Sequence, residues 1–129
     1  MGYFDEKLPP QVLVVDDSEG IRDCLACFLR ASGYRVVEAD EGLAAQAILM
    51  KEQLALVITD LEMPVGNGWD LLTFCHATRP ELPVLLMSGS TLGRRPEVER
   101  WAAGFLPKPF QFDKLRGEVR RHVARVPSQ

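Results

Sequence analysis

The sequence predicts an α/β fold: a doubly wound, five-stranded parallel sheet of order 2-1-3-4-5 with helices on both faces. Short runs that are apolar throughout alternate with amphipathic stretches along most of the chain. Runs without polar alternation mark strands buried on both faces. Five such strand–helix pairs in succession imply parallel strands joined by right-handed crossovers. Pro107 falls in or just after the fifth run, which suits an edge strand, and the order 2-1-3-4-5 puts that strand at an edge.

Val12-Leu13-Val14-Val15 is the first strand. Ser18 is placed to cap the following helix and Gly33 to end it. In that helix Ile21, Cys24, Leu25, Phe28 and Leu29 recur at helical spacing as one core-facing stripe, which reads Cys24 as a core residue. Arg35 to Ala39 reads as the second strand, Leu43 to Lys51 as an alanine-rich helix, and Ala55-Leu56-Val57-Ile58-Thr59 as the third strand. Pro64 to Gly68 is a loop in which Asn67 or a neighbour caps a helix carrying Leu71, Leu72 and Cys75. Pro83-Val84-Leu85-Leu86-Met87 is the fourth strand, followed by a short helix around Pro96 to Ala103 and a brief fifth strand at Gly104 to Leu106. A last helix from about Phe112 carries Leu115, Val119 and Val123. Residues 1–10, ending in Pro9-Pro10, read as a tail or linker, 11–124 as one domain and 125–129 as a C-terminal tail.

A chain of 129 residues fits one domain. Its 15 basic and 18 acidic residues leave a net charge of −3, which argues against direct nucleic-acid binding. No apolar run approaches the roughly 20 residues that cross a bilayer. The polar stretch Met1 to Pro10 lacks the apolar centre of a signal peptide. A cytoplasmic protein without membrane contact is expected, and its three cysteines are expected as free thiols.

The first strand ends in Asp16-Asp17 and the third in Asp60. These strands are neighbours at the switch point of the predicted sheet, where such folds bind ligands. Carboxylates brought that close either raise a pKa or recruit a cation. Oxygen-only ligands with open positions suit Mg²⁺, or Mn²⁺ in its place. The fourth strand ends in Ser88-Gly89-Ser90, and Lys108 follows the fifth, ahead of Pro109. A carboxylate nucleophile, a metal, a hydroxyl and an ammonium together meet the needs of phosphoryl transfer. Singly, each has a plainer reading: an aspartate as turn former, Lys108 as a surface lysine, Ser88 as a loop hydroxyl. Their joint placement at one end of one sheet carries the functional reading.

These residues lie in stretches that resemble the receiver domain of two-component response regulators, which has a flavodoxin-like fold. The stretches are Val14-Val15-Asp16-Asp17, Thr59-Asp60-Leu61-Glu62-Met63-Pro64 with Gly68, Met87-Ser88-Gly89, and Phe105-Leu106-Pro107-Lys108-Pro109-Phe110. The resemblance spans about residues 11 to 124. It implies that Asp60 takes a phosphoryl group from a phosphohistidine on a histidine kinase or histidine phosphotransfer protein. It implies Mg²⁺ held by Asp17, Asp60 and the backbone carbonyl of Glu62, with Asp16 acting mainly through a metal-bound water. Ser88 and Lys108 would each hold a phosphoryl oxygen, and Phe105 would be the switch aromatic that follows Ser88. Such a domain is a signalling phosphoacceptor rather than an enzyme, expected as a monomer or weak dimer.

Twenty positions separate Ser88 from Lys108, fewer than in many receivers, so a short or shifted fourth helix is expected. Glu62 and Ser90 occupy the positions that tune phosphoryl lifetime in this family. The phrases Leu85-Leu86-Met87-Ser88-Gly89 and Gly104-Phe105-Leu106-Pro107-Lys108-Pro109-Phe110 look most like receivers at the C-terminus of hybrid sensor histidine kinases. Pro9-Pro10 would then close a linker.

Other features weigh less. Cys24-x-x-Cys27 lies inside a helix, away from the helix N-terminus that would activate a thiolate, and no second pair completes a zinc site. His76 and His122 read as surface residues, Trp69 and Trp101 as packing or partner-contact residues, and Arg94-Arg95 as a solvated pair. A haloacid dehalogenase-like phosphatase would need an aspartate where Glu62 stands. A phosphorylation-independent interaction module would not need Asp60 and Lys108. Nucleotide-binding glycine loops and the G-x-S-x-G elbow are absent.

Overall fold

Strands and helices alternate through the residues that the computed structural model describes, 8–63, 66–89 and 95–123. In order they are β1 (Gln11–Val15), α1 (Glu19–Ala31), β2 (Arg35–Ala39), α2 (Gly42–Leu49), β3 (Leu56–Asp60), α3 (Gly68–Thr78), β4 (Val84–Ser88), α4 (Pro96–Glu99), β5 (Gly104–Pro107) and α5 (Phe112–His122). The expectations for Pro64, Ser90, Arg94 and the 125–129 tail fall outside the described residues.

All strand pairs are parallel and the order is β2-β1-β3-β4-β5, as predicted. Pro107 sits in the edge strand β5, opposite Ser88. Side chains alternate across the sheet and divide the core in two. Leu13, Val15, Val57 and Leu86 pack with Leu49 of α2 and Leu71, Leu72 of α3 on one face. On the other, Val12, Val14, Ile58, Leu85 and Met87 pack with Leu25, Leu29 of α1 and Leu115, Val119 of α5. Each fully buried leucine contributes roughly 1.5–3 kcal/mol, and both faces need this burial to fix the register that aligns the strand ends.

The predicted caps form. Ser18 Oγ accepts from the Ile21 amide at 3.4 Å, and Asn67 Oδ1 accepts from the Asp70 amide at 3.0 Å. Gly33 takes φ 100°. Its amide donates to the Arg30 carbonyl at 3.0 Å and that of Tyr34 to Leu29 at 3.1 Å, the paired bonds of a Schellman end.

Two expectations are corrected. Cys24 is exposed rather than core, as is Cys27. Successive residues turn about 100° around a helix. Cys24 and the buried Ala26 therefore lie on opposite sides of Leu25, and α1 buries its Ala26 side rather than its Cys24 side. The fourth helix ends at Glu99 rather than near Ala103. The Ala103 amide already donates to the Val84 carbonyl at 2.8 Å, so the chain has joined the β4–β5 ladder.

Candidate functional site

Parallel strands in register end together, and their C-terminal ends carry the polar residues. Asp16 follows β1 directly, Asp60 ends β3, Ser88 ends β4 and Lys108 follows β5. Asp16, Thr59, Asp60 and Ser88 are buried polar residues, whereas Asp17 is exposed. One carboxylate oxygen from each of Asp16, Asp17 and Asp60 lies within 4.8 Å of the others.

Lys108 bridges two of them. Its Nζ lies 3.1 Å from Asp16 Oδ2 and 3.2 Å from Asp60 Oδ1. Burial raises the Asp60 carboxyl above its ordinary range. Lys108 pulls it back, the Asp16 charge pushes it up again, and the net shift is upward. Burial works against the Lys108 ammonium, but its bond to Asp16 and the attraction of both carboxylates outweigh this and hold its pKa above the usual lysine value.

Three carboxylates facing one ammonium leave the pocket negative. An all-oxygen donor set, closed on the buried side and open at Asp17, fits a hard divalent cation such as Mg²⁺.

Ser88 Oγ donates to Glu62 Oε2 at 2.7 Å, while the Glu62 amide donates to Asp60 Oδ1 at 3.4 Å. The structure thus joins Asp16, Asp17, Asp60 and Lys108 directly and brings Ser88 to the Glu62 side chain. Phe105 is half-buried and packs against the core on the α2–α3 face. The Lys108–Pro109 peptide is cis.

Several residues beside the site differ from their sequence reading or were not singled out by it. His76 is exposed as expected, but its ring stacks on Trp101 at 4.0 Å and 7°. His122 is half-buried rather than on the surface. Its Nε2 lies 3.3 Å from Glu118 Oε1, without hydrogen-bond geometry, because α5 turns the Glu118–His122 side towards β5. Trp69 is core and Arg95 is exposed. Arg22 was missed: its Nη1 donates to the Asp16 carbonyl at 2.7 Å. The only signal was a long basic side chain in the first turns of α1, where helical side chains lean back towards the preceding strand.

The model of the family described as the response regulator receiver domain matches residues 12–120. The chain is 38% identical to the response regulator protein FleR of Pseudomonas aeruginosa over 88% of its own length and 24% of that protein's. It spans about a quarter to a half of the curated relatives it matches. Its fold superposes on a response regulator receiver protein of Pseudomonas putida with a TM-score of 0.81 and 33% identity, covering 88% of this chain and 97% of that one. It is also similar to the response regulator TrrA of Thermotoga maritima, solved in complex with Mg²⁺ and BeF (TM-score 0.81, 28% identity, 87% and 97% covered).

Proposed function

This chain belongs to the response regulator receiver domain family, and from that premise we propose that Asp60 accepts a phosphoryl group from a phosphohistidine on a histidine kinase or histidine phosphotransfer protein. The observation that carries the proposal is the bridge from Lys108 to Asp60 and Asp16, with Asp17 beside them.

An Asp60 carboxylate oxygen forms the new bond to phosphorus as the phosphorus–nitrogen bond to imidazole breaks. The electron pair returns to the ring nitrogen, which then takes up a proton. The product is an acyl phosphate on Asp60. Lys108 balances charge on one phosphoryl oxygen. Asp17, Asp60 and the Glu62 carbonyl would hold Mg²⁺, with Mn²⁺ as a substitute, and Asp16 would support the ion from the second side of the acidic cluster. The metal supplies positive charge for the phosphoryl oxygens.

Ser88 exchanges Glu62 for a phosphoryl oxygen, and Phe105 changes rotamer with it. This biases two pre-existing conformers that a partner distinguishes. The product stays on the protein, so the domain is stoichiometric rather than an enzyme. The matched relatives include the response regulators FleR and MprA, which favours that setting over a hybrid kinase. The two sequence phrases noted above are what support the hybrid reading.

Incubation with a phosphorylated histidine phosphotransfer domain tests the proposal. Label should move to the chain, survive in acid longer than phosphohistidine, and be released by hydroxylamine as an acyl phosphate is. Label that stays on the donor would contradict it.

A further inference from the structure

Resting on the metal site just proposed, we propose that Arg22 is a positioning residue that fixes the peptide between Asp16 and Asp17 and so sets the direction in which Asp17 meets the cation. Asp16 is tied at four points. Its amide donates to the Ala39 carbonyl at 3.1 Å. Oδ1 accepts from the Ser18 amide at 2.9 Å and Oδ2 from Lys108 at 3.1 Å. These three hold the residue's own nitrogen and side chain. The fourth, from Arg22 Nη1 to the Asp16 carbonyl at 2.7 Å, acts on the group that leads into Asp17. A peptide is planar, so holding that oxygen also fixes the plane containing the Asp17 nitrogen and Cα. The Asp17 side chain is exposed and makes no ion pair among the described residues, so the plane sets where its Cα stands and which directions its rotamers can reach.

Arg22 can do this because it is itself held. Its Nε lies 3.4 Å from Glu38 Oε1, and its side chain is only 16% exposed. Glu38 stands on β2 and is held from its other oxygen by Arg30 at 3.3 Å. A guanidinium is a rigid planar fork that serves both partners at once, which a lysine ammonium on a flexible stem cannot. The brace therefore runs from the second strand through the first turns of α1 to the loop that carries the acid pair.

The sign of the effect separates positioning from electrostatics. Arg22 is a cation near three carboxylates, so losing its charge alone would tighten Mg²⁺ binding. Losing its hold on the peptide would weaken it. Calorimetric titration with MgCl₂ should show Arg22→Gln binding about tenfold more weakly, within the range typical of residues that orient metal ligands. Arg22→Lys, which keeps the charge, should also bind several-fold more weakly. In metal-free protein, NMR order parameters of the Asp17 and Ser18 amides should fall in both variants while those of β1 hold. Unchanged or tighter Mg²⁺ binding by Arg22→Gln, wild-type binding by Arg22→Lys, or unchanged order parameters would each overturn the role. If the wild type takes up no Mg²⁺ while the order parameters respond, the phosphoacceptor reading fails instead, and Arg22 is left as a brace of the loop with no metal to serve.

Discussion

At the scale of the residue, Asp60 joins a proposed phosphoacceptor role to a cost in stability. Burial and the nearby Asp16 charge raise its carboxyl pKa even though Lys108 lies 3.2 Å away. A raised pKa means that the protonated form is bound more tightly by the folded state than by the unfolded one. The corresponding stability is fully present below the ordinary carboxylate value and is lost as pH rises through the folded one. At neutral pH the ionised carboxylate is therefore a liability, and Asp60→Asn should raise Tm. The gain should be about 3–6 °C for each kcal/mol recovered in a domain of this size. It should shrink as pH is lowered towards 4, which thermal melts of both proteins at each pH would show. Asp16, Asp17, Asp60, Ser88 and Lys108 were legible because each stands at the end of an apolar run that names its own strand. Arg22 and the contact of Glu62 with Ser88 were not. Both depend on how long side chains lie across loops, which strand periodicity does not encode.

At the scale of the element, the start of α3 is pressed against the end of β3. A Cβ at Gly68 would lie 2.5 Å from the Asp60 carbonyl oxygen and 2.9 Å from Leu61 Cα. These are backbone atoms that cannot rotate away. Gly68→Ala should cost about 1–3 kcal/mol, read as a lower urea midpoint at unchanged slope. Gly117, inside α5, would meet nothing within 4 Å, so Gly117→Ala should gain about 0.5–1 kcal/mol by the same measurement. The caps Ser18, Gly33 and Asn67 were readable because capping is local chemistry. The roll of α1 that exposes Cys24 was not, since an apolar stripe gives a helix face only to within a residue or two. The length of α4 was bounded by the short stretch between Ser88 and Lys108. Its end at Glu99 was set by Ala103 pairing with β4, a contact between distant parts of the chain.

At the scale of the whole molecule, the sheet order was legible because it follows from a few rules together. Apolar runs require two covered faces, crossovers are right-handed, and Pro107 belongs at an edge. The same order gathers three carboxylates, two of them paired with one ammonium, and a divalent cation would relieve the imbalance. A ligand that binds only the folded state stabilises it by mass action. Mg²⁺ at a hundred times its dissociation constant should therefore add about 2.7 kcal/mol, seen as a rise in Tm. That rise should largely vanish in Asp17→Asn, which keeps the buried pair Asp16 and Asp60 but loses the exposed ligand.

The most direct test of Asp60 as phosphoacceptor is the intact mass of the protein after incubation with Mg²⁺ and acetyl phosphate, with Asp60→Asn and a chelated sample alongside. One phosphoryl group should be added to the wild type, absent from the variant and absent without metal. An adduct that persists in Asp60→Asn, or no adduct and no consumption of donor with Mg²⁺ present, would contradict it.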